Sequence, residues 1–131
     1  MRADQLAYQY VVLRVVPRVD REEFINVGVV LYCQAADFLA AATEVAPERA
    51  AALAPGLDLV TVRDHLAAIE AVCRGEESAG QAATRPLGTR FGFLSAPRST
   101  VVQPGPIHGG VSTDPEQQLE HLMDQLVRSP R

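Results

Sequence analysis

The spacing of apolar and polar positions changes period along this chain, and the changes mark its elements. From Tyr8 to Val16 the residues are β-branched, aromatic and aliphatic, a composition expected to form a strand. A second strand is expected over Asn26–Cys33 and a weaker third over Asp37–Glu44. Between the first two, Asp20 and Glu23 stand at capping-box spacing, which predicts a helical turn at the hairpin tip. Antiparallel pairing is expected to set Tyr10 opposite Tyr32, Val12 opposite Val30 and Arg14 opposite Gly28. Leu13 then faces Val29 on the other, uniformly apolar side.

Helical spacing follows. Pro47 suits the first position of a short alanine-rich helix that ends near Pro55-Gly56. Thr61 with Asp64 has capping-box spacing. Val62, Leu66, Ile69 and Cys73 then recur on one helical face, and Gly75 suits the position just past the end. Glu76–Thr84 is polar and small, and reads as a surface loop. The clearest helix comes last: Asp114 is placed to cap it, Pro115 to open it and Gln117 to complete the box. Leu119, Leu122, Met123, Leu126 and Val127 form its apolar stripe. Strands grouped before helices predict an α+β fold. The expected architecture is one domain over residues 1–131: a hairpin 8–16/26–33 plus a third strand, packed against helices near 61–74 and 114–128. No internal repeat interrupts it.

Composition narrows the class. Apolar residues make up 47% of the 131 positions, more than a disordered chain carries. Twelve basic residues against 16 acidic ones leave a net charge of −4, and every basic residue is arginine. Lysine chemistry is therefore excluded: no Schiff base, and no Walker-type nucleotide loop. A net acidic chain is also a poor general nucleic-acid coat or polybasic membrane anchor. The first residues lack the apolar core of a secretory signal, and no apolar run approaches the roughly 18 residues of a membrane span. The expected location is cytoplasmic. Cys33 and Cys73 are isolated and the three histidines have no ligand spacing, so neither a metal nor another cofactor is expected.

The distribution of charge is more informative than its total. Ser78–Thr113 contains no Asp or Glu, yet it holds Arg85, Arg90, Arg98 and His108 among several glycines and prolines. Arginine offers a planar fork that suits carboxylate or phosphate, and glycine admits close backbone approach. Arg90, Arg98 and Ser99 are thus candidate ligand-binding residues, unless the arginines pair with the acidic segments on either side. Gly109–Thr113 precedes a helix, but the Asp114 cap opposes an anion there. His108, between proline and glycine in an expected sharp loop, is a candidate general acid or base. Arg14 lies inside a strand, a costly place for an unpaired charge. Glu23 is its obvious partner, and Asn26 a further one. Arg14 is therefore a fourth candidate ligand-binding residue, and Glu23 a second candidate acid–base group.

Glu23-Phe24-Ile25-Asn26-Val27-Gly28-Val29-Val30, following a Tyr/Val-rich strand, resembles the N-terminal signature of a bacterial family named only as domain of unknown function 3037. Arg90-Phe91-Gly92-Phe93-Leu94 running into Ala96-Pro97-Arg98-Ser99-Thr100 resembles its second block. His108, and Asp114-Pro115 opening a leucine-rich helix that ends Leu126-Val127-Arg128, resemble its third. The family brings no established activity. Its members are often encoded beside a HipA-like kinase, so the resemblance implies a role as that kinase's partner or regulator. The expected function is a non-catalytic binding or accessory module for a protein partner. The alternative is a small enzyme whose Arg90 and Arg98 hold a phosphorylated or nucleotide-like substrate, with His108 or Glu23 as acid–base. Nucleic-acid binding through residues 85–112 is a weaker third.

Overall fold

A computed structural model describes residues 4–128. The strands are β1 (Leu6–Val15), β2 (Ile25–Cys33), β3 (Phe38–Thr43), β4 (Val102–Pro104) and β5 (His108–Ser112). The helices are α1 (Pro47–Leu53), α2 (Leu59–Arg74), α3 (Leu87–Ser95) and α4 (Pro115–Leu126). The fold is α+β, one antiparallel sheet with helices on both faces. β3, β2 and β1 form a meander; β4 and β5 follow one another along the free edge of β1. The expected hairpin is thus present, but the sheet is completed by two C-terminal strands, one unassigned from the sequence and one where a loop about His108 was expected.

Pairing within the hairpin differs by one residue from expectation. Tyr10 faces Leu31, Val12 faces Val29 and Leu13 faces Gly28. β2 is apolar on both faces, so alternation does not choose between neighbouring registers. Gly28 is where the chains fit: a Cβ there would stand 2.8 Å from the Ala42 carbonyl oxygen. The ladder then slips, and Arg14 faces Asn26, leaving Val27 as an extra residue in a β-bulge.

Val11, Leu13, Val15, Val27 and Val30 meet Val62, Leu66, Ile69, Phe91 and Leu94 from α2 and α3. Tyr32 stacks on Phe91 with ring centroids 5.5 Å apart. On the other face Tyr8, Val29, Leu31 and Cys33 meet Leu119, Leu122, Met123 and Val127 on or just beyond α4.

Helix ends follow capping chemistry, with one correction. α2 starts earlier than expected because Asp58, not Thr61, is its cap: the carboxylate accepts from the Val60 and Thr61 backbone N–H groups. Gly75 ends that helix at φ 74°, a left-handed conformation that favours glycine. Asp114 caps α4 by accepting from the Gln117 N–H at 3.1 Å, as expected. The last carbonyls of α4 are taken by Asn26, donating to Leu126 O at 3.0 Å, and Arg49, donating to Val127 O at 2.9 Å. At the hairpin tip Val19–Arg21 forms a 3₁₀ turn that begins after Arg18, so the Asp20–Glu23 box is not made. Glu76–Thr84 holds two further 3₁₀ turns and buries Ala83. No helix among the described residues is long and apolar enough to cross a membrane.

Candidate functional site

Arg14 occupies a place built by two interruptions of the sheet. On its β2 side is the bulge at Val27. On its other side β4 pairs Leu13 with Pro104, while β5 pairs Tyr10 with His108, so one extra residue is taken up between them. Bulges of this kind redirect side chains. Here the second one brings Gly105 so close that a Cβ there would collide with the Arg14 Nη2. The guanidinium carbon lies 4.1 Å from the centre of the Phe24 ring, a cation–π geometry. The group is thus held against an aromatic face with glycine backbone beside it.

Among the described residues it is held without a countercharge. The expected partners are engaged elsewhere: Glu23 accepts from Arg21 Nε at 2.5 Å, and Asn26 donates to the end of α4. The Arg14 Nε is buried and meets no hydrogen-bond acceptor among the described residues. Arg14 also lines a groove of about 340 Å³ with Val16, Val19, Glu22, Phe24 and Gln103. Val19 is 65% exposed and Phe24 44% exposed. Glu22, at the rim, has φ 55°, an uncommon value for a residue with a side chain.

The groove belongs to a larger open area. α4 packs on β2 and β3 and reaches β1 less. Tyr8, at the edge of that cover, is buried; burial raises its phenol above the ordinary range, with Tyr10 adding to the rise and a hydrogen bond from Gln118 opposing it. Beyond it Tyr10, Val12 and Arg14 are half-buried, and His108 is exposed with its ring 5.3 Å from Tyr10. His108 is therefore the first residue of β5, not part of a sharp loop. β5 pairs with β1 alone, and bears exposed Val111.

The other candidates lie apart from this area. Glu23, Arg18 and Arg21 line a separate cleft of about 510 Å³ between the hairpin tip and Leu53–Asp58. There Arg21, by hydrogen bond and charge, holds the Glu23 carboxyl below its usual range. Arg90, on α3, donates through Nε to Arg85 O at 2.6 Å and through Nη1 to Cys73 O at 3.1 Å, closing the end of α2. Arg98 lies 4.8 Å from the Phe93 ring centre and donates to the Phe93 and Ala96 carbonyls. Both arginines meet backbone oxygens; neither is in an ion pair with the acidic segments. Arg98 acts on His65 of α2, whose pKa is lowered first by burial and then by that charge. Arg90 and Arg98 thus engage different carbonyls, Arg90 those of Cys73 and Arg85, Arg98 those of Phe93 and Ala96. Ser99 is exposed just beyond Arg98. Cys33 and Cys73 are both buried, and burial, aided by Glu70, pushes the Cys73 thiol up to about 12.

His108 shares the α4 side of the sheet with Arg14, at a strand distance of roughly 13 Å. Arg90 and Arg98 belong to the α3 side, and Glu23 faces the hairpin-tip cleft. The sequence candidates thus separate into three places; on the Arg14 side a guanidinium whose buried Nε meets no acceptor among the described residues borders exposed apolar side chains.

The family model described as "Protein of unknown function (DUF3037)" matches residues 10–127. The chain belongs to this family. The matched stretch runs from within β1 to just past the end of α4, and so includes the open half of the sheet. Comparison with curated proteins and with solved structures returned no match.

Phe24, Gln103 and Gly105 are site residues that sequence reasoning missed. Phe24 gave one signal, an aromatic residue directly after the charged run Asp20–Glu23. Pro104-Gly105-Pro106 gave another, since glycine beside proline after an apolar pair suits a bulge in an edge strand. Neither signal says that the two segments meet at Arg14.

Proposed function

We propose that this chain is a non-catalytic binding module, and that a protein partner engages the half of the sheet that α4 leaves open. The observation that carries the proposal is Arg14: a guanidinium held over Phe24, with no carboxylate partner, in a groove bordered by exposed apolar side chains. A half-buried charge without a countercharge is costly, and a partner that brings an opposite charge to the groove completes the surface. Tyr10, Val12 and His108 extend it along β1 and β5. The HipA-like kinase implied by the family resemblance is the first partner to test, in a bacterial cytoplasmic setting.

The enzyme alternative has less support. It needs Arg90, Arg98, His108 and Glu23 about one anionic substrate, whereas Arg90 closes the end of α2, Arg98 lies over Phe93, His108 stands beside Tyr10 and Glu23 lines the hairpin-tip cleft. Co-expression with the neighbouring kinase tests the preferred reading. A stable complex is expected, retained when Arg90→Ala and Arg98→Ala are combined. Val12→Glu should weaken it more than tenfold, since a charge there faces the partner. Failure to co-purify at micromolar concentrations, or a complex indifferent to Val12→Glu, overturns the reading. Steep loss of affinity with salt for an oligonucleotide would instead favour nucleic-acid binding.

A further inference from the structure

We infer that the Arg14 groove takes a carboxylate, specifically the side chain of an aspartate or glutamate in an extended segment of the partner. The inference rests on the binding-module reading and adds the chemistry of recognition. Three features of the groove select that chemistry.

Charge comes first. Among the described residues Arg14 has no ion-pair partner, and its one acidic neighbour lining the groove is Glu22. One guanidinium is neutralised by one negative charge, and Glu22 is already present in the groove to oppose any larger anionic charge. A monoanion suits the balance.

Shape is the second. The guanidinium has one face on the Phe24 ring, and the Gly105 backbone lies against Nη2. With Nε buried, what remains is the Nη end of the fork, at which arginine can bind carboxylate in its plane with paired N–H donors. The stacking also fixes the side chain before the ligand arrives, which reduces the ordering cost of binding.

The surroundings are the third. Val16, Val19 and Phe24 border the charge with apolar surface, and the Gln103 amide adds a donor and an acceptor. A free small carboxylate would leave Val19 and Phe24 in water. A peptide segment would cover them with the neighbours of its acidic residue. β5 favours an extended conformation for that segment: it pairs with β1 alone, and from His108 to Ser112 it carries no acidic residue, lysine, arginine or proline, the usual guards of an edge strand.

The test uses the intact chain and the Arg14 Nε–H resonance, whose burial slows exchange and whose position over Phe24 shifts it. The probes are acetyl-Val-Glu-Val-amide, acetyl-Val-Gln-Val-amide and inorganic phosphate, each titrated to millimolar concentration. The glutamate peptide is expected to move the resonance saturably and to bind at least about tenfold more tightly than the glutamine peptide, the size of a modest charge-pair coupling. Arg14→Lys, which keeps the charge and loses the fork, should remove most of that preference, read from the Val12 amide. Equal binding of the two peptides, or no shift with either, overturns the inference. Preferential saturation by phosphate overturns it in favour of a phosphoryl site. A shift driven by protein concentration alone overturns it in favour of a second copy. If the peptides fail while Val12→Glu still abolishes the kinase complex, the binding-module reading stands and only the carboxylate assignment falls.

Discussion

The two faces of the sheet are made by the same strands and end in different states. Toward α2 and α3, β1 presents Val11, Leu13 and Val15, each at most 1% exposed. Toward α4 the same strand presents Tyr8, then Tyr10, Val12 and Arg14. Only Tyr8 is buried, because α4 lies over β2 and β3 and stops short of the far half. From Val11 to Val15 the positions on the covered face pair burial with aliphatic side chains. On the open face the positions beyond the helix are half-buried and mixed: aromatic Tyr10, aliphatic Val12, and Arg14 charged and backed by an aromatic ring. A strand can therefore serve as core on one side and as recognition surface on the other, provided the helix above it is placed off centre. The bulges at Val27 and between β4 and β5 belong to this division, since both flank Arg14 and neither leaves the core unfilled.

The contrast can be broken most directly by truncation. Leu13→Ala empties a fully enclosed position and should cost about 2–5 kcal/mol in urea unfolding. Val12→Ala, one residue along and on the open half, should cost about 1 kcal/mol or less. Equal losses would mean that the two faces do not differ as described. The helix that creates the asymmetry supplies a second probe. Removing its cap in Asp114→Ala should lower stability by about 1 kcal/mol and quicken amide exchange in the first turn of α4. Unchanged exchange there would count against the cap.

Gly105→Ala probes the open half in a different way. The added methyl meets the far end of the Arg14 side chain, which can swing aside, so stability should change by less than about 1 kcal/mol. The guanidinium should nevertheless leave Phe24, and its Nε–H should lose the ring-current shift. A retained shift would show that the glycine does not position the arginine.

The smallest effect concerns the covered side. Burial, and secondarily the Arg98 charge, hold His65 below its ordinary value of 6.5. Because the folded value is the lower one, the unfolded chain takes up more protons as the pH falls through 6.5. Stability from this group is complete above that pH and declines below it. Arg98→Ala should raise the His65 value only in part, because burial is the larger cause. NMR titration of the imidazole checks both statements; a full return to 6.5 would assign the shift to Arg98 instead.

Some of this was legible before any coordinates. Gly75 and Asp114 mark helix ends by chemistry confined to a few adjacent residues, and both act as expected. α3 was not assigned, although Leu87, Phe91 and Leu94 recur at helical spacing, because Gly88, Thr89 and Gly92 weaken the local preference. α2 was started late because Asp58 and Thr61 are both good caps, and the choice lies in which hydrogen bonds form.

What the sequence by itself determined is the set of local elements with strong period or capping, the α+β class that follows, and the exclusion of lysine chemistry. Those properties depend on residues within one or two turns of each other. Tertiary structure alone decided the hairpin register, since β2 is apolar on both faces and either alignment satisfies its pattern. It likewise decided where each arginine finds its acceptor. Arg90 and Arg98 were candidates for an anion and meet carbonyls instead. Arg14, expected to pair with Glu23, is held over Phe24 and against Gly105, a residue ninety-one positions away that only the closing of the sheet brings beside it.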